Sequence, residues 1–199
     1  MTFDFRGKTI VQRTSAGTQG IVAASHANQL YAASLVTAEA TVRSLLLGSP
    51  EQIALVAMGG NGIKRTDEDE LCAIHLRNRL EGRRSDRDAI RRVILAGGET
   101  ERFCDPARPY LHPEDVDIAL DIDRYDFAVR VDFEDGRPVA RIERPALPTP
   151  TSTGGIPLPG AASSPRPAAG IHAGIVAGSP TALQDVNEHR TGDVVTIRR

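Results

Sequence analysis

The sequence has few cysteines and no long apolar run, and each shortage excludes a class of protein. Cys72 and Cys104 are the only cysteines, too few for a disulfide framework and too far apart for a CxxC motif, which favours a reducing compartment. No apolar run approaches the roughly 20 residues that span a bilayer. Residues 1–8 also lack the apolar core of a secretory signal. The sequence therefore predicts a cytoplasmic protein with no membrane partner.

Aromatic residues and net charge are scarce as well. Aromatic side chains make up 4% of the 199 residues and tryptophan is absent, so a core must be built from Ala, Val, Ile and Leu. The net charge of −2 gives no overall attraction to nucleic acid. We therefore expect no nucleic-acid partner. The expected partner is a small anionic substrate, and self-association into a homo-oligomer is left open.

Composition changes at Pro145. Eight of the 13 prolines lie between this residue and the C-terminus, and the last aromatic residue is Phe133. Such a segment buries too little apolar surface to offset the entropy of ordering it, and its apolar patches at 171–176 and 194–197 are short. The sequence predicts one folded α/β domain over residues 1–144 and a Pro/Gly/Ala-rich disordered tail over 145–199. The tail is expected to be removable without unfolding the rest.

Within residues 1–144, β-prone and helical segments alternate. The predicted strands cover 8–13, 30–34 and 53–58, and the helices that follow them cover 19–26, 37–47 and 67–80. Two further helices are predicted over 86–96 and 113–120, and a hairpin joins 127–133 to 138–142 through Asp135-Gly136. Repeated strand–loop–helix units predict a three-layer α/β/α fold, whose mixed and mainly parallel sheet ends in this hairpin.

The first predicted strand is followed by a loop rich in hydroxyl groups. Thr14, Ser15 and Thr18 supply hydroxyl groups, and Gly17 permits close approach of a ligand where a helix begins. Backbone N–H groups at a helix start attract anions, so the loop is a candidate binding site for phosphate, sulfonate or carboxylate. The alternative is an ordinary helix start, in which the hydroxyl groups satisfy the loop's own N–H groups.

A second loop follows the apolar strand over 53–58. Gly59 and Gly60 allow a ligand to approach the backbone, and Glu68 and Asp69 lie in the first turn of the next helix. Helical spacing turns Asp69 toward the sheet and Glu70 toward solvent. An inward carboxylate beside an anion site suits Mg²⁺, which takes one or two carboxylates together with substrate oxygens. The alternative is an acidic helix start that complements the helix dipole.

The order of these segments resembles the 2-phosphosulfolactate phosphatase family. The resemblance covers about residues 3–133, and its segments are TSAGT (14–18), LVTA (35–38), IALVAMG (53–59), DEDELCA (67–73) and PEDVDIALDID (113–123). It implies a layered α/β/α fold and the Mg²⁺-dependent hydrolysis of a phosphate monoester in coenzyme M biosynthesis. It also implies that the loop with Thr14, Ser15, Gly17 and Thr18 binds the substrate's phosphate or sulfonate, and that Glu68 and Asp69 lie near the metal and the substrate. Gly59 and Gly60, from the glycine-rich loop, complete the predicted substrate-binding residues.

A different kind of function is also compatible with these residues. Members of the family begin with a strand and an Asp-Val-x-Arg-Ala-like loop, and the sequence here is expected to start after that region. The second hypothesis is therefore an N-terminally truncated, catalytically inactive module of the same fold that binds anions. Neither hypothesis identifies a nucleophile.

Overall fold

The computed structural model describes residues 4–14, 16–61, 64–146, 175–178 and 194–198. Within these residues, the strands form one six-stranded sheet. The strands are β1 (Tyr31–Ala33), β2 (Gln52–Ala57), β3 (Ala128–Glu134), β4 (Arg137–Glu143), β5 (Ile175–Gly178) and β6 (Val194–Arg198), in the order β4-β3-β1-β5-β2-β6. The α-helices are α1 (Gly17–Ala23), α2 (Ala38–Leu47), α3 (Asp67–Leu80), α4 (Arg87–Ala96) and α5 (Pro113–Ala119). Short 3₁₀ helices cover Leu35–Thr37 and Glu99–Cys104.

Most local predictions are confirmed, and their causes are visible. Helix α3 has the predicted bounds, and α4 begins after Asp86, whose side chain accepts a hydrogen bond of 2.9 Å from Ala89 N–H. Strands β3 and β4 form the predicted hairpin. At its turn, Asp135 and Gly136 have φ of +50° and +73°, the left-handed conformation that a tight two-residue turn requires.

Two predictions about strands are wrong. Residues 8–13 have no regular structure, are exposed, and pair with no described strand, and a segment without a partner gains none of the hydrogen bonds that stabilise a strand. The sheet was expected to be mainly parallel, but every ladder between the described strands is antiparallel. Strands β1 and β2 do run in the same direction, because β5 lies between them and is antiparallel to both.

The strands β5 and β6 come from the segment that was expected to be a disordered tail. Strand β5 pairs with β1 and with β2, and β6 pairs with the other edge of β2. These two strands are therefore part of the sheet, contrary to the predicted division of the chain at residue 145. The rest of that predicted tail, apart from Pro145 and Ala146, lies outside the described residues. With these strands in the sheet, we now expect removal of the segment to destabilise the fold.

Strand β2 divides the core into two clusters. Ile53, Leu55 and Ala57 pack in a large cluster with α2, α3, α4 and α5, whereas Ala54 and Val56 pack in a smaller one that includes α1 residues. The strand is thus buried on both faces, as its continuous apolar sequence predicts. The chain is an α/β protein, and the three-layer arrangement stays a prediction. No helix in the described part of the chain is long and apolar enough to cross a bilayer.

A buried histidine lies where several helices meet. The His75 side chain is 1% exposed, and neither ring nitrogen has a hydrogen-bond partner in the part of the chain that is described. Its charged neighbours come from four elements: Glu39 of α2, Arg79 of α3, Arg87 of α4 and Asp123 after α5. Glu39 pairs with Arg79 and Arg87 pairs with Asp123, while Asp123 also accepts a 2.7 Å hydrogen bond from Glu39 N–H. The ring therefore lies inside a charged cluster that ties these elements together.

Acid is expected to destabilise the fold through this residue. Burial lowers the pKa of His75 below its ordinary value of 6.5, an effect that Asp123 opposes and Arg87 reinforces. The pKa of His75 is lower in the folded state than in the unfolded state, so the neutral ring makes its full contribution to stability above pH 6.5. This contribution is lost as the pH falls below that value. Melting temperatures at about pH 7.5 and about pH 5 measure the loss, and we expect His75→Gln to reduce the difference between them.

His112→Gln is the matched control, because His112 is exposed. The control variant should keep the pH dependence of the parent chain. An unchanged dependence in His75→Gln would show that His75 does not contribute to it.

Candidate anion-binding site

The loop before α1 is held by hydrogen bonds between its own two threonines. Thr18 N–H donates to Thr14 Oγ1 at 3.1 Å, Thr14 N–H donates to Thr18 Oγ1 at 3.3 Å, and Thr18 Oγ1 donates to the Thr14 carbonyl at 2.9 Å. Ala16 occupies the N-cap position without a side-chain hydrogen bond, and Gly17 begins the helix. Ser15 lies outside the described residues. The threonine hydroxyl groups therefore fix the shape of the loop, which is the alternative that the sequence left open.

The second loop turns sharply at the end of β2. Gly59 has φ of +60°, and a Cβ atom there would lie 2.1 Å from the Lys64 carbonyl oxygen. Gly60 N–H donates to Lys64 O at 2.7 Å and Lys64 N–H donates to Gly60 O at 3.0 Å, so the two residues form a narrow two-stranded turn. Both the positive φ and the close carbonyl require glycine at position 59. We call the described residues Gly59–Asn61 and Lys64–Thr66 the glycine turn.

A buried carboxylate anchors the glycine turn to α3. Asp69 is 1% exposed, and its Oδ2 accepts a hydrogen bond of 2.5 Å from Gly59 N–H. The inward direction that helical spacing predicts for Asp69 is confirmed. Glu70, in contrast, lies at the surface side of the helix, where it accepts two hydrogen bonds of 3.1 Å and 2.8 Å from Arg65. Asp69 thus fixes the backbone at which β2 ends.

Helix α1 brings the threonine loop close to the end of β2. Gly20 of α1 packs directly on Met58, since a Cβ atom at Gly20 would lie 2.4 Å from the methionine sulfur. Ala16, at the start of α1, is buried in the same small cluster as Met58. The two loops that the sequence singled out therefore both lie near the end of β2, the first through the contact of α1 with Met58 and the second through Gly59.

The expected metal ligands supply two adjacent carboxylates and no larger cluster. Asp69 is buried and Glu68, the preceding residue, is half-buried. Across the described residues, no group of three or more His, Cys, Asp or Glu side chains is arranged to hold a metal ion. Carboxylates are the ligands that Mg²⁺ prefers, and water and substrate oxygens complete its shell. Each carboxylate is a donor of the type that Mg²⁺ prefers, but successive residues of a helix point in different directions, and an ion on Asp69 competes with Gly59 N–H for the carboxylate.

Two cations that the sequence analysis did not single out lie on the glycine turn. Lys64 Nζ is 3.2 Å from Glu99 Oε1, and Arg65 forms an ion pair with Glu70 at 2.8 Å. Their signal in the sequence is the pair of basic residues just after the glycines. The sequence alone does not show that Lys64 pairs with Glu99, because Glu99 is 35 residues away in sequence and becomes its neighbour only in the folded chain.

Residues 1–100 match the family model described as 2-phosphosulpholactate phosphatase. The matched segment is just over half of the 199 residues and contains both loops, α3 and the ion pair between Lys64 and Glu99. Comparisons with curated proteins and with solved structures returned no match.

Proposed function

Because the chain belongs to the 2-phosphosulpholactate phosphatase family, we propose that it hydrolyses the phosphate monoester of a small sulfonated hydroxy acid. Water replaces the ester oxygen on phosphorus, and the products are inorganic phosphate and sulfolactate. The family is one of phosphatases, so phosphoric monoester hydrolysis is the reaction class that the match supports. As part of the same proposal we assign the reaction to coenzyme M biosynthesis in the cytoplasm. The match over residues 1–100, which include all the candidate residues, carries this proposal.

The proposed binding surface consists of the threonine loop and the glycine turn. Its residues are Thr14, Ser15, Gly17, Thr18, Gly59 and Gly60. The hydrogen bonds between Thr14 and Thr18 give the loop a fixed shape, so an anion meets a surface that loses little entropy on binding. Gly60 has no side chain, so a ligand can approach its Cα closely, while its N–H and C=O stay bonded to Lys64. A small phosphate or sulfonate anion is the partner that this surface suits.

We also propose Mg²⁺ as the cofactor, held by Glu68 and Asp69. When bound, the ion would neutralise negative charge on the phosphoryl oxygens. A rise in melting temperature with Mg²⁺ plus inorganic phosphate, larger than with either alone, supports the metal site without requiring turnover. Glu68→Gln should abolish that rise, whereas Glu114→Gln, an exposed glutamate in the first turn of α5, should keep it.

A second candidate function is anion binding without catalysis. Thr14 and Thr18 bond each other, and Asp69 accepts a bond from Gly59 N–H. These groups therefore hold the local structure together, which favours a binding role over a catalytic one. Turnover distinguishes the two candidates. The phosphatase releases phosphate from 2-phosphosulfolactate, whereas the inactive module binds the same anion and leaves it unchanged.

We expect the purified chain to release phosphate from 2-phosphosulfolactate in the presence of Mg²⁺ and to stop when EDTA is added. Thr18→Val removes the hydroxyl group that closes the threonine loop, so its affinity for substrate should fall about tenfold. Thr9→Val is the matched control, since Thr9 is exposed in residues 8–13. Phosphate release and isothermal titration measure turnover and binding. Binding without release would select the second candidate, and the absence of both would contradict the proposed function.

A further inference from the structure

Lys64 is a cation of the glycine turn and lies directly beside Gly60, one of the residues where substrate is proposed to bind. It is paired with Gly60 through two backbone hydrogen bonds of 2.7 Å and 3.0 Å. A Cβ atom built on Gly60 would lie 3.6 Å from the Lys64 Cβ and 3.7 Å from the Thr66 Cγ2, so the lysine side chain starts on the same side of the turn as the hydrogen that Gly60 carries in place of a side chain. Any anion that rests on Gly60 is therefore within the reach of a long, mobile ammonium group.

The partner of Lys64 in this structure is a surface carboxylate. Lys64 Nζ lies 3.2 Å from Glu99 Oε1, and the two side chains are 74% and 43% exposed. Exposed ion pairs of this kind contribute little to stability, because water screens them and the side chains lose entropy. Glu99 starts a 3₁₀ helix just after Gly98, so it stands across from the glycine turn and belongs to a different element. The pair can open at little cost to the fold.

The neighbouring cation is more firmly held. Arg65 donates two hydrogen bonds to the carboxylate oxygens of Glu70, at 3.1 Å and 2.8 Å, and the Glu70 side chain is only 22% exposed. A two-point guanidinium–carboxylate pair is stronger and more restricted in geometry than a single lysine contact. Lys64 is thus the cation of the glycine turn that can exchange its partner.

We propose that Lys64 binds an anionic group of the substrate and that Glu99 holds Lys64 while the site is empty; this inference rests on the proposed function. A phosphorylated, sulfonated hydroxy acid carries three anionic groups, a phosphate, a sulfonate and a carboxylate, so one binding loop cannot satisfy all of them. The ammonium group adds a cation for a second of these groups. Glu99 competes with the substrate for Lys64 and thereby lowers the affinity of the site for singly charged anions.

The proposal predicts opposite effects for the two members of one ion pair. Lys64→Gln should weaken binding of 2-phosphosulfolactate about tenfold, because a charged contact is lost. Glu99→Gln should strengthen binding a few-fold, about twofold to fivefold, because Lys64 is released from its competitor. Lys64→Arg should keep most of the affinity, since the positive charge remains. The measurements are isothermal titration and KM on the full chain, with melting temperature as the check on folding.

Arg77→Gln is the matched control, because Arg77 forms a comparable surface pair with Glu81 at 3.0 Å on α3. It should leave the affinity unchanged. If Lys64→Gln and Glu99→Gln shift the affinity in the same direction, or neither shifts it, the pair is purely structural and the inference is wrong, although the proposed function stands. If the parent chain neither binds nor hydrolyses the substrate, the proposed function fails and this inference fails with it.

Discussion

A chain that ends at Ala146 is expected to lose its cooperative fold or to melt at least about 10 °C below the full chain. This truncation removes β5 and β6, and with them every described partner of β2. The side chains of β2 are among the most buried in the protein, with Ala54 and Leu55 both 0% exposed. Unpaired N–H and C=O groups in such a buried strand cost about 1–3 kcal/mol each. Circular dichroism during heating measures the loss.

A substitution tests the same point without deleting residues. Val176→Pro places proline in the middle of β5, where it removes a backbone donor from a strand with a neighbour on both sides. Ser163→Pro adds a proline to the proline-rich part of the sequence and serves as the control. We expect a marked fall in melting temperature for the first variant and little change for the second. A truncated chain that melts cooperatively within a few degrees of the full chain would contradict this role of β5.

Asp69→Ala is expected to destabilise the protein by about 2–4 kcal/mol and to abolish anion binding. The substitution leaves Gly59 N–H without its acceptor and opens a hole beneath the glycine turn, because Asp69 is 1% exposed. Glu70→Ala should cost less than about 1 kcal/mol, since it removes a surface pair with Arg65. Urea unfolding and phosphate titration on both variants measure the difference.

The substitutions Asp69→Asn and Glu70→Gln keep the size of the side chain and remove its charge, so they separate the effect of packing from the effect of charge. Asparagine retains an oxygen that accepts from Gly59 N–H, so most of the stability should return in Asp69→Asn. Binding of Mg²⁺ with phosphate should still be weaker than in Glu70→Gln, because the carboxylate charge is gone. Equal effects at the two positions, or a larger effect at Glu70, would rule out the assigned role of Asp69.

Local structure was predictable from the sequence wherever neighbouring residues decide it. The Asp135-Gly136 turn, the bounds of α3 and the burial of Asp69 all follow from spacing and residue type within a few positions. The direction of the sheet was not predictable in that way. Strands β1 and β2 are close in sequence, but they do not pair with each other. Strand β5, more than 100 residues further along the chain, lies between them and pairs with both.

In the candidate site, too, some features were predictable from neighbouring residues and others depend on distant ones. Its loops were recognisable because glycines and hydroxyl residues follow an apolar strand or precede a helix. The mutual hydrogen bonds of Thr14 and Thr18 were only one of two alternatives at that stage, since composition does not say whether a hydroxyl group faces its own loop or a ligand. The pairing of Lys64 with Glu99 required the folded chain, because the two residues are brought together by α3, α4 and the turn at Gly98.

The position of β5 between β1 and β2 has a consequence for synthesis of the protein on the ribosome. Strand β2 is apolar from Ile53 to Ala57, yet its described neighbours at 175–178 and 194–198 are made more than 110 residues later. Until then the nascent chain carries an apolar strand with two open edges, which is the kind of segment that pairs with other chains. Contacts this distant in sequence also slow folding. We therefore expect the yield of soluble protein to depend on chaperones that shield residues 52–57 until the C-terminal strands emerge.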